Sequence, residues 1–140
     1  MNQTLKMFHA TRKLYNRLCV SVMERYDLTR CELDILLFLY NNPELDTAKD
    51  IVEKRGLVKS HVSMGIDHLV QKKYIGVNQD QNDKRRYHLR LLNHSYEVIQ
   101  EGLNVQNEFQ KRLFKNFSEE DKEEFTRMMK MIYENIKEEM

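Results

Sequence analysis

Leu5, Phe8, Tyr15, Leu18, Cys19, Val22 and Tyr26 recur at spacings of three, four and seven, the apolar stripe of an amphipathic helix over residues 3–25. A second helix is announced by Thr29-Arg-Cys-Glu32, a capping box in which hydroxyl and carboxylate each satisfy an orphan amide of the first turn, and Pro43 ends it beyond Tyr40. A third, short helix begins near Asp46 or Thr47, turns Ala48, Ile51 and Val52 inward, and stops at Gly56, the residue suited to a left-handed cap. After Gly56-Leu57-Val58 the helical period resumes from about Lys59 to Lys73, with Val62, Ile66, Leu69 and Val70 predicted on the inner face. Ser60, Met64, Asp67 and Gln71 fall on the outer face, flanked by His61, Ser63 and His68. Two helices joined by so short a glycine-containing turn make a helix-turn-helix.

From Tyr74 to about Leu92 the period drops to two. Tyr87, Leu89 and Leu91 alternate with Arg86, His88 and Arg90, and Ile75 and Val77 alternate with Gly76 and Asn78. This predicts a β-hairpin with a polar tip at Gln79–Arg85. The remainder returns to helix, with Asn93 expected as the N-cap of a segment running to about Lys115 and Ser118-Glu-Glu-Asp121 capping the last one.

Composition agrees with a mostly α fold, since the chain has one Pro and four Gly in 140 residues, which is enough for one domain with a sizeable core. No apolar run of membrane-spanning length and no signal peptide are evident, so a cytoplasmic protein is expected. Cys19 and Cys31 are too few for a disulfide scaffold or a structural zinc cage, and both are expected reduced. Gly-rich phosphate loops, H-E-x-x-H and nucleophile elbows are absent, and the five His residues lack clear ligand spacing. The reading is therefore of a non-enzyme with no cofactor and no metal.

Charge sharpens the picture more than composition does. Residues 54–90 hold nine Lys and Arg against three Asp, about +6, in a chain whose net charge is +1, so the rest carries −5. One surface is built to meet a polyanion.

Helix, helix-turn-helix and basic hairpin in that order form a winged helix, and the residues resemble the MarR family of bacterial transcriptional regulators over essentially the whole chain. The most specific element is the wing, where Asp80-Gln-Asn-Asp83-Lys-Arg85 matches the family's D-x-x-D-x-R. Gly56-Leu57 before the recognition helix and Ser60-His-Val-Ser63 at its start are similar to the family as well. Met64 departs from the pattern where many relatives carry Arg, Val77 replaces a frequent Arg at the base of the wing, and Asn93 stands for a customary Thr. Gly65 in mid-helix is unusual, because Gly is less favourable than Ala there by about 1 kcal/mol; close backbone packing is the expected reason.

The resemblance implies a winged helix-turn-helix at about 29–92 and a dimerisation region formed by helices at about 3–25 and 93–138, all within a single domain of residues 1–140. It implies that Arg85 enters the minor groove, oriented by Asp83, while the recognition helix reads the major groove. The DNA-facing set expected on that basis is Lys59, Ser60, His61, Ser63, Met64, Asp67, Lys84, Arg85 and Arg86. Short polar side chains near a helix N-terminus suit close approach to phosphate, and an Arg on a tight hairpin tip reaches a narrow groove with little loss of freedom. A homodimer would bind double-stranded DNA at a nearly palindromic operator. The expected activity is that of a sequence-specific regulator, a repressor released by a small apolar or phenolic effector, with Tyr15, Tyr26 and Phe38 as candidate lining residues. Two alternatives stay open. Cys19 beside Tyr15 and Tyr26 resembles the thiol-based peroxide sensors of the same family, and the winged module could serve protein interaction without DNA.

Overall fold

The computed structural model describes residues 2–140. Its elements in chain order are α1 (Gln3–Tyr26), α2 (Arg30–Asn41), α3 (Ala48–Arg55), α4 (Lys59–Gln71), β1 (Ile75–Gln79), β2 (Tyr87–Leu91), α5 (Tyr96–Leu113) and α6 (Glu119–Glu139). The chain divides into two compact units, Met1–Asn107 and Glu108–Met140.

In the first unit α2 is the centre of the core. Every side chain from Glu32 to Leu39 is buried along it. Cys19 and Val22 of α1, Ile51 of α3, Val62 and Leu69 of α4, Ile75 and Leu89 of the hairpin, and Val98 and Ile99 of α5 join the same cluster. Local chemistry sets the helix ends. Thr29 Oγ1 accepts from the Glu32 amide at 3.1 Å while the Thr29 amide donates to Glu32 Oε1 at 3.2 Å, closing the capping box. Thr47 and Asp50 form a second box at the start of α3. Gly56 ends α3 at φ +70°, a left-handed conformation that a side chain would strain.

α4 rests on α2 through Val62, Gly65 and Leu69, with Val70 40% exposed rather than inward. At 100° per residue the face centred on residues 62, 65, 66 and 69 leaves position 70 at its edge, so glycine takes the place expected for a valine. A Cβ on Gly65 would lie 2.9 Å from Ile35 Cδ1, which explains the glycine.

The hairpin pairs antiparallel with Ile75 opposite Leu91, Val77 opposite Leu89 and Gln79 opposite Tyr87. Ile75 and Leu89 are enclosed, whereas Val77, directly opposite Leu89, and Tyr87 at the tip are exposed. The expected cap at Asn93 is not formed. Asn93–Ser95 instead make a short 3-10 turn with no side-chain cap, and the Leu92 carbonyl accepts from both the Ser95 amide at 3.0 Å and the Ser95 hydroxyl at 2.7 Å. Ser95 is fully buried and ties this turn to the Leu92 carbonyl, a different contact from the amide-accepting cap expected of Asn93.

In the second unit Ser118 and Asp121 close the capping box expected at the start of α6. Phe114, Phe117 and Phe125 meet edge-to-face with centroids 5.3 to 6.3 Å apart. No side chain of α6 is buried, and Phe125, Met128, Met129, Ile132 and Ile136 are all exposed along it.

Candidate nucleic-acid interface

The first two turns of α4 leave the protein surface bare. Lys59, Ser60, His61, Ser63, Met64 and Asp67 are all exposed, Met64 by 58%. Val58 precedes the helix without any side-chain cap, so the first-turn amides are open to an outside acceptor such as phosphate oxygen. The opposite end of α4 is tied down. Glu32, only 2% exposed, has Lys72 Nζ at 3.7 Å and His68 Nδ1 at 3.9 Å, and Lys72 also donates to the Asp27 carbonyl. Lys72 therefore serves the fold. Beside it on α2, buried Asp34 accepts from Arg30 Nε at 3.2 Å and has Arg55 of α3 at 3.5 Å, so both helices of the helix-turn-helix are tethered to buried acids of α2.

The wing tip is ordered by its own carboxylates. Asp80 Oδ2 accepts from the amides of Asn82 and Asp83, both at 2.9 Å, and Asp83 Oδ1 accepts from the Arg85 amide at 3.0 Å and from Arg85 Nε at 3.4 Å. The Arg85 side chain is 93% exposed, with only its Nε held to Asp83. Gln79 Nε2 closes the loop onto the Lys84 carbonyl at 2.8 Å. Lys84 and Arg86 are exposed on either side of Arg85.

A concave surface of about 1250 Å³ brings the two parts together, with Thr47 and Asp50 of the α3 cap, Ser63 and Asp67 of α4, and Asp83, Arg85 and Arg86 of the wing on its walls. Residues read separately from two motifs thus share one concavity.

His88 anchors that arrangement, and sequence reasoning missed it, noting it only as an outward position of a strand. Its Nδ1 lies 2.9 Å from Asp46 Oδ1 and its Nε2 2.7 Å from Asp80 Oδ1. Hydrogen bonding to Asp46 and then to Asp80 raises the imidazole above its ordinary pKa. The Asp80 carboxyl is held down to about 2, first by His88 and then by the Asp83 and Asn82 amides. Buried Glu32 and Asp34 were also missed as tethers; Glu32 was legible only as a capping residue.

The residues considered for effector binding and thiol chemistry lie in the first unit. Phe38 is buried in the core, and Tyr15 is half-buried with the Arg30 guanidinium 4.5 Å above its ring. Tyr26 faces Glu101 of α5, and contact with that carboxylate pushes its phenol up to about 12. Cys19 is fully buried, and burial pushes its thiol up from the ordinary value. Among the described residues no group of His, Cys, Asp and Glu is placed to hold a metal ion, and no helix is long and apolar enough to cross a membrane.

A family model described as MarR family matches residues 26–86. Comparison with curated protein sequences finds no match. Among solved structures, a MarR protein from Peptoclostridium difficile is 21% identical with a TM-score of 0.83, the match covering 99% of this chain and 90% of that one. A protein from Listeria monocytogenes described as a MarR family transcriptional regulator, complexed with 26mer DNA, is 16% identical with a TM-score of 0.85, covering 99% and 91%. MepR of S. aureus in a DNA complex is 18% identical with a TM-score of 0.78, covering 96% of each chain. These likenesses show a shared fold along nearly the full length.

Proposed function

We propose that the chain, whose residues 26–86 match the MarR family model, is a MarR-type, sequence-specific, DNA-binding transcriptional regulator acting as a homodimer. The observation that carries this reading is the concavity shared by α4 and the wing, where an oriented, exposed Arg85 stands beside a helix whose uncapped start presents short polar side chains. The helix would meet base edges and phosphates in the major groove, and Arg85 the minor groove. Solved structures of similar fold that contain DNA support the same direction.

The homodimer reading rests on unburied apolar side chains. Leu5, Met7 and Phe8 of α1 and Phe125, Met128, Met129, Ile132 and Ile136 of α6 are exposed in the single chain, more than a stable monomer ordinarily leaves to water. A two-fold dimer would present two recognition helices to successive major grooves of a nearly palindromic operator. The effector part of the proposal, a small apolar or phenolic molecule that releases a repressor, follows from the family resemblance; Tyr15, Tyr26 and Phe38 remain its candidate contacts.

Titration with random duplex DNA at several salt concentrations tests DNA binding against a purely protein-interacting module. Lys59, Lys84, Arg85, Arg86 and Arg90 are exposed cations on each subunit, and each phosphate contact contributes about 0.9 to the slope of log K against log salt. A steep decline with salt is expected, and absence of binding at low salt refutes the reading. Light scattering at micromolar concentration is expected to show a dimer.

A further inference from the structure

We propose that His88 is a proton-dependent positioning residue for the wing, its charged imidazole strapping the wing loop at Asp80 to the α2–α3 loop at Asp46 so that Arg85 is presented to a minor groove. The inference rests on the DNA-binding reading above. Three observations carry it.

Both ring nitrogens of His88 sit at hydrogen-bond distance from carboxylate oxygens, 2.9 Å to Asp46 and 2.7 Å to Asp80. A carboxylate only accepts, so both nitrogens must donate, and only the doubly protonated ring can do so. The neutral ring keeps one bond and turns a lone pair toward the other aspartate.

The strap has consequences at both ends. Asp80 uses its second oxygen to hold the Asn82 and Asp83 amides, and Asp83 in turn orients Arg85, so the chain of contacts from His88 to the arginine is continuous. At the other end Asp46 also accepts the Leu89 amide on its backbone carbonyl at 2.8 Å and directly precedes Thr47, the cap of α3. The wing is thereby referred to the helix-turn-helix and not merely to its own hairpin.

The charged surroundings are simple. Asp46 from the α2–α3 loop and Asp80 from the wing loop face the imidazole, its cross-strand partner Asn78 on β1 is neutral, and Arg86 and Arg90 flank it on β2 with exposed side chains. The two aspartates raise the imidazole, so the strap is complete below the ordinary histidine range and is lost as pH rises through the raised value. Asp80, held down to about 2, stays ionised across that whole window.

The test compares affinity for an A·T-rich duplex, whose narrow minor groove favours an inserted Arg, with affinity for a G·C-rich duplex at constant ionic strength across neutral and alkaline pH. Taking the ratio cancels any change in charge that alters binding to both duplexes alike. The A·T preference is expected to fall by roughly fivefold or more as pH passes the His88 midpoint, the low end of what one oriented Arg contact contributes. His88→Gln, whose amide has a single donor nitrogen and an acceptor oxygen and cannot gain a proton, is expected to show a low, pH-independent ratio. In parallel, NMR titration of the free protein is expected to place the His88 midpoint above the ordinary histidine value, and Asp46→Asn is expected to lower it.

A ratio that stays constant with pH in the parent protein overturns the inference while leaving DNA binding intact. A His88 midpoint at or below the ordinary value overturns it regardless of how any variant folds. Failure to bind either duplex refutes the DNA-binding reading itself, and this inference with it.

Discussion

Replacing Gly65 by alanine sets two effects of known size against each other. Alanine is favoured over glycine in a helix interior by about 1 kcal/mol, so in open space the change would stabilise. The space is not open. The new Cβ would lie 2.9 Å from Ile35 Cδ1, with Glu32 Cγ at 3.7 Å and Cys31 Sγ at 3.8 Å in ordinary contact, so a single methyl group makes the conflict. Ile35 is fully buried and has little room to turn, and overpacking of this kind costs about 1–3 kcal/mol, leaving Gly65→Ala destabilising by about 0–2 kcal/mol. Ile35→Val removes the conflicting methyl and alone should cost about 0.5–1.5 kcal/mol. In the Gly65→Ala background the same change relieves a clash, so the double mutant should be more stable than the sum of the singles by on the order of 1 kcal/mol. Helix propensity cancels from that difference. Urea unfolding followed by circular dichroism, at one fixed protein concentration because a dimer's stability depends on it, measures all four corners of the cycle. Singles that add within about 0.5 kcal/mol, or Gly65→Ala alone stabilising by its full helix-propensity gain, would show that α4 does not rest on Ile35 as described.

Arg85→Ala should weaken DNA binding by about 1–3 kcal/mol with fold and dimer intact, and Asp83→Ala should act in the same direction but less, as measured by fluorescence anisotropy; equal binding by Arg85→Ala removes the wing from the interface. Met64→Arg places a cation on the outer face of α4 and should raise affinity for random DNA while altering sequence preference, and an unchanged affinity would mean that this face does not meet DNA. Cys19, fully buried with its thiol raised by burial, should remain unmodified in mass spectra after mild peroxide treatment of the folded protein, whereas rapid oxidation would favour the thiol-sensing alternative.

Elements whose ends are fixed by local chemistry were legible in the chain. The capping boxes at Thr29 and Ser118, the Gly56 stop and the Asp80–Arg85 tip act between residues two to four positions apart, so their signals are contained in short windows. Asn93 shows the limit of that logic. The chain there makes a 3-10 turn in which Ser95 donates to the Leu92 carbonyl, and the complete burial of Ser95 is a tertiary fact that no short window carries. Val70 went astray because a glycine was not counted as an apolar position, although its lack of a side chain lets the helix axes approach. His88 was beyond reach for a different reason: its partners lie 42 and 8 residues away, and nothing in an alternating strand marks one polar position as a bridge. The buried acids Glu32 and Asp34 were hidden likewise as tethers, since Lys72 and Arg55 lie outside α2, even though Arg30 beside Asp34 is on the same helix.

The glycine contact at α4 has a counterpart on α5. A Cβ on Gly102 would meet Leu37 Cδ2 at 2.8 Å, just as one on Gly65 would meet Ile35. α2 is therefore a shaft with two bare bearings, one carrying α4 and the other α5. Elsewhere a small displacement can be absorbed by side chains changing rotamer, but at these seats one partner has no side chain to yield. The two seats, Leu37 and Ile35, are only two residues apart on α2 and so face different sides of the same helix. Close packing without voids leaves little slack at these two points, so α2 fixes the distance of closest approach of both α4 and α5.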